Sequence, residues 1–102
     1  MAYSVEYSPA AIQDLLRIRA EVFSASRDKG VTVKYMDDMM DAVDRMSDFP
    51  EAGTPLYYEN SFTSYYRLSF KAYLVFYRLE GQRLLVDRVL YGKSDYLRTL
   101  LK

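Results

Sequence analysis

Three runs of aromatic and β-branched residues follow one another in the second half of the chain, and they constrain the fold more than any other feature. They cover residues 65–70, 73–79 and 84–93, separated only by residues 71–72 and by a short polar segment around Gly81. Strands so close in sequence can pair only through tight turns. The three runs therefore predict an antiparallel meander.

Each run carries one arginine among apolar neighbours, namely Arg67, Arg78 and Arg88. Packing alone gives little reason for a guanidinium at these positions, so all three are candidate functional residues. Arg67 shares a predicted strand face with Tyr65 and Ser69, where an arginine could equally be solvated or stacked on a tyrosine. The sequence leaves both interpretations of Arg67 open.

Arg88 is harder to explain as a surface residue. Alternation along a strand groups it with Leu84, Val86 and Leu90. A charge among such residues either pairs with a buried carboxylate or lies at a functional edge of the sheet. We expect structural pairing, which is compatible with a functional role.

Composition limits the kinds of site that the chain can hold. The 102 residues, half of them hydrophobic, predict a single domain over residues 1–102. Cysteine and histidine are absent, which removes disulfides, thiolate catalysis and the commonest metal ligand. Asp37, Asp41, Asp44 and Asp48 lie along one helical stripe, but one helix alone does not close a coordination sphere. We therefore expect a solvated acidic face, no metal site and no cofactor.

The charge and the N-terminal residues bear on location and partners. The formal net charge is zero, so nucleic-acid binding would need a local basic patch. The first residues show no basic segment followed by an apolar one, and no run approaches the ~18 apolar residues of a membrane span. We expect a cytoplasmic protein with no membrane partner.

Capping residues and periodicity predict the other elements. Residues 3–7 alternate as a half-buried strand does, and Ser8-Pro9 is typical of the start of a helix. The predicted elements are a strand at 3–7, helices at 9–27 and 32–48, a loop at 50–64, the three strands of the meander and a short helix at 95–101. The order β-α-α-β-β-β-α predicts an α+β domain in which a helical hairpin packs on a small, mostly antiparallel sheet.

Tyr57 and Tyr58 form an unusual pair within the predicted loop. Tyrosines exposed on a loop are good anchors for a protein partner. Stacking on RNA bases would need cations nearby, and residues 50–64 contain no lysine or arginine. We predict that this pair binds a protein.

The strands and tail at the C-terminal end resemble the RelE/ParE superfamily of bacterial toxins. There, a strand, a turn and a strand ending in Arg-Val-Leu and Gly lead into a basic tail. The start of the first helix and the loop after the hairpin are spaced as in the ParE branch. The matching positions are Tyr-Leu-Val-Phe-Tyr-Arg-Leu-Glu-Gly at 73–81 and Asp-Arg-Val-Leu-Tyr-Gly-Lys-Ser-Asp-Tyr-Leu at 87–97, with Ser8, Ala11, Asp14, Leu15, Pro50 and Gly53.

The resemblance implies the toxin half of a bacterial type II toxin–antitoxin system, the kind often labelled plasmid stabilisation protein. Such a toxin inhibits growth and forms an oligomer with a small cognate antitoxin, encoded by an adjacent gene, that wraps and neutralises it. ParE-type toxins inhibit DNA gyrase by binding it, a role that would make Arg67, Arg78, Arg88, Lys93 and Tyr96 target-binding residues. RelE-type toxins are ribosome-dependent endoribonucleases that cut mRNA on the translating ribosome, a role in which the candidate catalytic residues are Arg67, Arg88, Lys93, Tyr91 and Tyr96.

Departures from the nuclease pattern favour the ParE branch. Basic residues of that pattern are replaced by Ser69, Leu74 and Ser94, and its common histidine by Tyr91. A tyrosine base would need its pKa lowered by roughly three units from ~10, which takes a dense basic cluster. We expect a ParE-like toxin acting on gyrase. A RelE-like nuclease and a non-toxic homologue that only binds antitoxin remain alternatives.

Overall fold

The computed structural model describes residues 3–101. These residues form two long helices, a five-stranded sheet and a short C-terminal helix, with a 3₁₀ turn at Pro50–Ala52. In chain order the elements are β1 (Ser4–Tyr7), α1 (Pro9–Ser26), α2 (Lys29–Met46), β2 (Thr54–Tyr58), β3 (Ser61–Phe70), β4 (Tyr73–Glu80), β5 (Arg83–Tyr91) and α3 (Tyr96–Leu100). The predicted α+β class, with a helical hairpin on a mostly antiparallel sheet, is confirmed.

The first helix begins where the sequence predicts. The Ser8 hydroxyl accepts the backbone N–H of Ala11 at 3.0 Å, and Pro9 occupies the first helical position. A serine N-cap satisfies one backbone donor that the helix leaves unpaired, typically worth about 1 kcal/mol. Local chemistry therefore accounts for this end of the hairpin.

Only Arg27 and Asp28 connect the two helices. Arg27 is left-handed, with a φ of 55°, and its N–H closes the end of α1. Asp28 caps α2 by accepting the N–H of Val31 at 3.1 Å. Because aspartate caps at this point, α2 begins at Lys29 rather than at residue 32, and Gly30 lies inside the helix rather than after α1.

The sheet has the order β1-β5-β4-β3-β2. Strands β2 to β5 pair antiparallel, and β1 joins β5 in parallel at one edge. The helical hairpin packs on one face of this sheet. The buried residues of that core are Ala11, Ile18, Met39, Val43, Tyr73, Val75, Tyr77, Leu84, Val86 and Val89. Burying a large apolar side chain contributes roughly 1.5–3 kcal/mol, so this face holds the main core.

The opposite face of the sheet, here called the α3 face, carries a smaller cluster. Leu56, Phe76 and Leu90 are buried there. Side chains of α3 pack against them, with Tyr96 and Leu97 among the contacts. The C-terminal helix is therefore held to the sheet on the side away from the hairpin.

The prediction of a loop at residues 50–64 is wrong for most of that segment. Strand β2 and the start of β3 occupy it, joined by a turn in which Glu59 and Asn60 have φ values of 51° and 66°. Two positive φ values are typical of a type I′ hairpin turn, which usually contains glycine. This turn contains none, and Pro55 argues against a strand. The sheet therefore has one more strand than the sequence predicts.

A β-bulge in β5 changes which side chains share a face. Phe76 pairs with Arg88, whereas Tyr77 pairs with Val86, so Asp87 is the additional residue. A bulge shifts the alternation of the strand beyond it. The expected grouping of Arg88 with Val86 is therefore wrong, because Arg88 aligns with Phe76 on the α3 face.

Both long helices are amphipathic. The buried residues that face the sheet are Ala11, Asp14 and Ile18 from α1 and Met39 and Val43 from α2. Thr32 of α2 is also buried, and its hydroxyl donates to the Asp28 carbonyl at 2.9 Å in the connection between the helices. Among the helices of residues 3–101, none combines the length and the apolar character needed to cross a bilayer.

Candidate functional site

Two of the predicted arginines lie in one row across the sheet. The strand register aligns Arg67 on β3 with Phe76 on β4, and Phe76 with Arg88 on β5. Side chains aligned across antiparallel strands share a face, so the two arginines flank Phe76 on the α3 face. Arg78 lies two positions after Phe76 on β4 and belongs to the same face. The fold thus brings the three predicted arginines to one side of the sheet.

Tyr96 holds α3 against this row. Its ring packs on Phe76, with 5.1 Å between the ring centroids. Its hydroxyl accepts Nη1 of Arg67 at 3.3 Å, which joins two candidate residues 29 positions apart in the chain. Among residues 3–101, Arg67 has no carboxylate within ion-pair distance. Its positive charge therefore remains available on the α3 face.

Arg88 reaches the first helix. Its Nε and Nη2 donate to the carboxylate of Asp14 at 2.7 and 2.9 Å, and the same carboxylate accepts the Val89 N–H at 2.9 Å and Nη1 of Arg17 at 2.8 Å. Asp14 is only 1% exposed. Burial by itself raises the pKa of this carboxyl, but the hydrogen bonds outweigh burial and hold the pKa of Asp14 below its usual range. The predicted pairing of Arg88 with a buried carboxylate is confirmed.

Arg78 is also neutralised by a carboxylate. Its Nε donates to Oδ2 of Asp87 at 2.7 Å, and the Tyr65 hydroxyl donates to the same oxygen at 3.0 Å. The guanidinium lies 5.9 Å from the centre of the Tyr65 ring, within cation–π range. Burial, and then the bond to Asp87, raise the pKa of Tyr65. Sequence reasoning missed Asp87, although a carboxylate within an apolar strand was an available signal.

Tyr91 and Lys93 lie where β5 ends. Tyr91 is 45% exposed, and its ring meets the ring of Tyr73 edge-on at 6.0 Å. Lys93 is exposed in the turn that follows. Gly92 donates its N–H to the Ala72 carbonyl at 2.8 Å, and a Cβ at this position would lie 3.2 Å from that oxygen. Glycine therefore lets the turn approach the β3–β4 connection.

Tyr57 and Tyr58 project from the edge strand β2. They are 60% and 47% exposed. Tyr57 packs beside Phe62, with 5.7 Å between centroids, while Tyr58 borders Leu97 and Leu101 at the C-terminal helix. Their exposure agrees with a binding role, which stays a prediction, but they lie on a strand and not on a loop.

The described residues offer little for acid–base or metal chemistry. Burial is the main cause that raises the pKa of Tyr7 and Tyr77 to about 12, and it also raises the pKa of Tyr35 and Tyr73. A general base needs a pKa near neutral, and these shifts move the tyrosine pKa values further above it. Within residues 3–101, no three acidic side chains are placed to hold a metal ion.

One family matches nearly the whole chain. The family model described as ParE toxin of type II toxin-antitoxin system, parDE, matches residues 5–96. The match begins in β1 and ends at the start of α3, so it includes Asp14, Arg67, Arg78 and Arg88. No curated protein matches the chain.

Solved structures share the fold. A chain of the chromosomal ParDE toxin–antitoxin system from P. aeruginosa has a TM-score of 0.72 at 15% identity, covering 88% of this chain and 96% of its own. A chain of the RelBE2 toxin–antitoxin complex from Mycobacterium tuberculosis has a TM-score of 0.59 at 20% identity, covering 89% and 99%. YafQ from E. coli strain BL21(DE3) has a TM-score of 0.50 at 14% identity, covering 88% and 93%. At such identities the likeness shows the fold.

Proposed function

The chain belongs to the family of ParE toxins of type II toxin–antitoxin systems, and we propose that it stops bacterial growth by binding DNA gyrase in the cytoplasm. In this proposal the toxin acts through recognition by its α3 face and tail. The contact residues are those predicted from the sequence: Arg67, Arg78, Arg88, Lys93 and Tyr96. A cognate antitoxin neutralises the toxin.

The neutralisation of two sheet arginines supports binding over catalysis. RNA cleavage by the 2′-hydroxyl needs a base, an acid and cations gathered around the phosphate. Arg88 holds Asp14 and Arg78 holds Asp87, each at 2.7 Å. A guanidinium that already holds a carboxylate contributes little positive potential to a phosphate beside it. Two of the basic residues on the α3 face are therefore engaged in holding the fold.

The lack of a suitable general base also favours binding over catalysis. The chain contains no histidine, and burial raises the pKa of Tyr65, Tyr73 and Tyr77 instead of lowering it. Among the candidates for nuclease chemistry, Arg67 and Tyr96 contact each other. Tyrosine and arginine are frequent anchors of protein interfaces, so this pair is suited to contact with a protein surface.

Exposed apolar residues on the hairpin support a protein partner. The residues concerned are Ile12, Leu16, Phe23, Val31 and Val33, each between 41% and 59% exposed. A groove between α1 and α2 has an apolar floor, with Arg19 and Lys29 among its lining residues. Apolar surface of this kind marks an interaction site. We propose that the product of an adjacent small gene covers it, with an interface of at least ~1,000 Å² in total.

Induction of the chain in bacteria tests the target. Plasmid supercoiling and protein synthesis are followed together after induction, and purified gyrase is assayed with the purified chain. We expect supercoiling to fail before protein synthesis falls, and the purified chain to inhibit gyrase. Codon-positioned cuts in mRNA would identify a RelE-like nuclease. Unimpaired growth at high expression would identify a non-toxic homologue.

Co-expression tests the partner. The neighbouring gene product should co-purify with the chain and restore growth. If no neighbouring product binds the chain or restores growth, the toxin–antitoxin pair is refuted.

A further inference from the structure

One end of the molecule gathers exposed cations from three segments of the chain. Gly92 donates its N–H to the Ala72 carbonyl at 2.8 Å, so the β3–β4 turn lies against the end of β5. Ala72 also lines a shallow cavity with Ala25 and Ser26, so the connection between the two helices lies at this end as well. The four exposed cations there, called here the basic end, are Arg27, Lys29, Lys71 and Lys93.

The charges of the basic end are not neutralised by ion pairs. Among residues 3–101, no carboxylate lies within ion-pair distance of any of the four cations. Lys71 Nζ lies 5.1 Å from the centre of the Tyr35 ring, but a ring has no net charge with which to cancel that of the lysine. Three neighbouring carboxylates already have partners: Glu21 accepts the Tyr73 hydroxyl, Asp28 accepts the Val31 N–H and Asp95 pairs with Arg98. Positive charge therefore predominates at this end.

Acidic residues predominate at the opposite end. The Ser47 carbonyl, just beyond α2, accepts the Tyr3 N–H at 2.9 Å, and the Gln82 carbonyl in the β4–β5 turn accepts the Ser4 N–H at 2.9 Å. These bonds bring the end of α2, the start of β1 and the β4–β5 turn together. The exposed charged residues of these segments and of the adjoining 3₁₀ turn are Glu6, Asp44, Arg45, Asp48, Glu51, Glu80 and Arg83. A chain with a net charge of zero thus has one basic end and one acidic end.

Separated cations of this kind suit a phosphate backbone. Lysine and arginine beside phosphates release condensed counterions, which supplies affinity for any nucleotide sequence. Recognition of single-stranded RNA depends instead on rings that are free to stack on bases. Tyr91 is an exposed ring at this end, but Tyr73 meets it edge-on at 6.0 Å. The acidic end is repelled by phosphates, so the separation of charge also orients the molecule on a polyanion. These features favour the backbone of a duplex.

We infer that the basic end contacts the phosphate backbone of the duplex DNA on which gyrase acts. The inference rests on the proposed binding of gyrase and adds a second partner to it. The α3 face contacts the protein and the basic end contacts the DNA, with Lys93 in the turn where the two surfaces meet. Because coupling between two ligands is reciprocal, the bound toxin also strengthens the hold of gyrase on its DNA.

Binding of the labelled chain to purified gyrase, with and without a duplex DNA fragment, tests the inference. DNA should raise the affinity of the chain for gyrase at least about tenfold at low salt. It should also make the plot of log affinity against log salt concentration steeper by about 3, since each phosphate contact contributes about 0.9 to the slope. Gyrase alone should bind the chain with a much weaker dependence on salt.

Two variants locate the effect of DNA on the surface. Arg27→Gln and Lys71→Gln should each weaken binding to the gyrase–DNA complex about three- to tenfold and reduce the salt slope by about 1. Neither should change binding to gyrase alone, which also shows that the variants are folded. Arg45→Gln is the matched control, because it removes an exposed cation at the acidic end of the molecule. It should bind within about twofold of the wild type in both samples.

Four outcomes would contradict the inference. Equal affinities and equal salt slopes with and without DNA would overturn it while leaving gyrase binding intact. The same would follow if Arg27→Gln and Lys71→Gln behaved like Arg45→Gln. If these two variants weakened binding to ribosomes and left binding to gyrase–DNA unchanged, the basic end would be a surface for RNA. If the chain bound neither gyrase nor its DNA complex, the proposed function would fail and this inference with it.

Discussion

Asp14 and Arg88 lie 74 positions apart in the chain and meet through two hydrogen bonds of 2.7 and 2.9 Å. The Asp14 carboxylate also accepts the Val89 N–H, so it binds a side chain and the backbone of β5 at once. The first helix is therefore fixed to the edge of the sheet next to the row that contains Phe76. Arg88, a predicted target contact, owes its position to α1.

Replacing Asp14 should destabilise the fold. Asp14→Asn leaves Arg88 without a counter-charge and should lower the free energy of unfolding by about 2–3 kcal/mol. This is less than the ~3–5 kcal/mol of a fully buried pair, because the Arg88 side chain is 29% exposed and retains water. Urea unfolding should show a lower midpoint with an unchanged slope.

An exposed ion pair provides the control for that variant. Lys34 and Asp38 are 3.1 Å apart on α2, with side chains 77% and 40% exposed. Asp38→Asn should change stability by less than about 0.5 kcal/mol. A midpoint for Asp14→Asn equal to that of Asp38→Asn would show that the buried pair contributes nothing.

The ion pair between Asp14 and Arg88 also makes part of the protein's stability sensitive to acid. The pKa of Asp14 is lower in the folded protein than in the unfolded chain, so its contribution is complete above the unfolded value near 4. The contribution is lost as the pH falls from about 4 through the folded-state pKa. Unfolding free energies of the wild type and Asp14→Asn, measured from pH 7 to pH 3, should converge as the pH falls. A constant difference across this range would refute the assignment.

Gly53 lies against the hydroxyl of Tyr77, which donates to the Pro50 carbonyl at 2.7 Å. A Cβ at residue 53 would overlap that hydroxyl oxygen and lie 2.9 Å from Cζ of the same ring. Gly53→Ala should therefore cost about 2–3 kcal/mol. In a double-mutant cycle with Tyr77→Phe, we expect a coupling energy of at least ~1 kcal/mol. Gly81→Ala, with a φ of 59° and open space around it, should cost about 1 kcal/mol and show no coupling to Tyr77.

The helical hairpin and the last three strands were predictable because their signals are local. Ser8-Pro9 starts α1, and Gly81 lies at a turn with positive φ. Strand β2 was not predictable in this way. Its turn places Glu59 and Asn60 at positive φ, and this Glu-Asn pair lacks the glycine that usually marks such a turn in a sequence. Pairing with β3 overrides the weak strand propensity of a segment that contains Pro55.

The candidate site was predictable only in its residue types. A buried carboxylate for Arg88 follows from the cost of an unpaired charge, but its identity as Asp14 depends on how α1 packs against β5. The contact between Arg67 and Tyr96 likewise depends on strand register and on the position of α3. The spacing of residues along the chain does not indicate that either pair of side chains is in contact.

The dose dependence of toxicity separates binding from catalysis. In a toxin that binds gyrase, Arg67 and Lys93 contribute contacts, and each lost contact costs a couple of kcal/mol, or about ten- to hundredfold in affinity. Higher expression can compensate for a loss of this size. In a nuclease the same residues stabilise a transition state, and losing one slows cleavage by roughly two orders of magnitude or more at any dose.

We therefore expect Arg67→Ala and Lys93→Ala to remain toxic at high expression and to lose toxicity at low expression. Lys34→Ala, which removes a 77% exposed cation on α2, serves as the control and should match the wild type at every dose. Growth is measured against toxin concentration, with ribosome-bound mRNA mapped in the same cultures. Because binding leaves no chemical trace, the mRNA should stay intact throughout. Two results together would show that the mechanism is ribosome-dependent cleavage and not gyrase binding. The wild type would make codon-positioned cuts in mRNA that are absent with either variant, and no dose of the variant would restore toxicity.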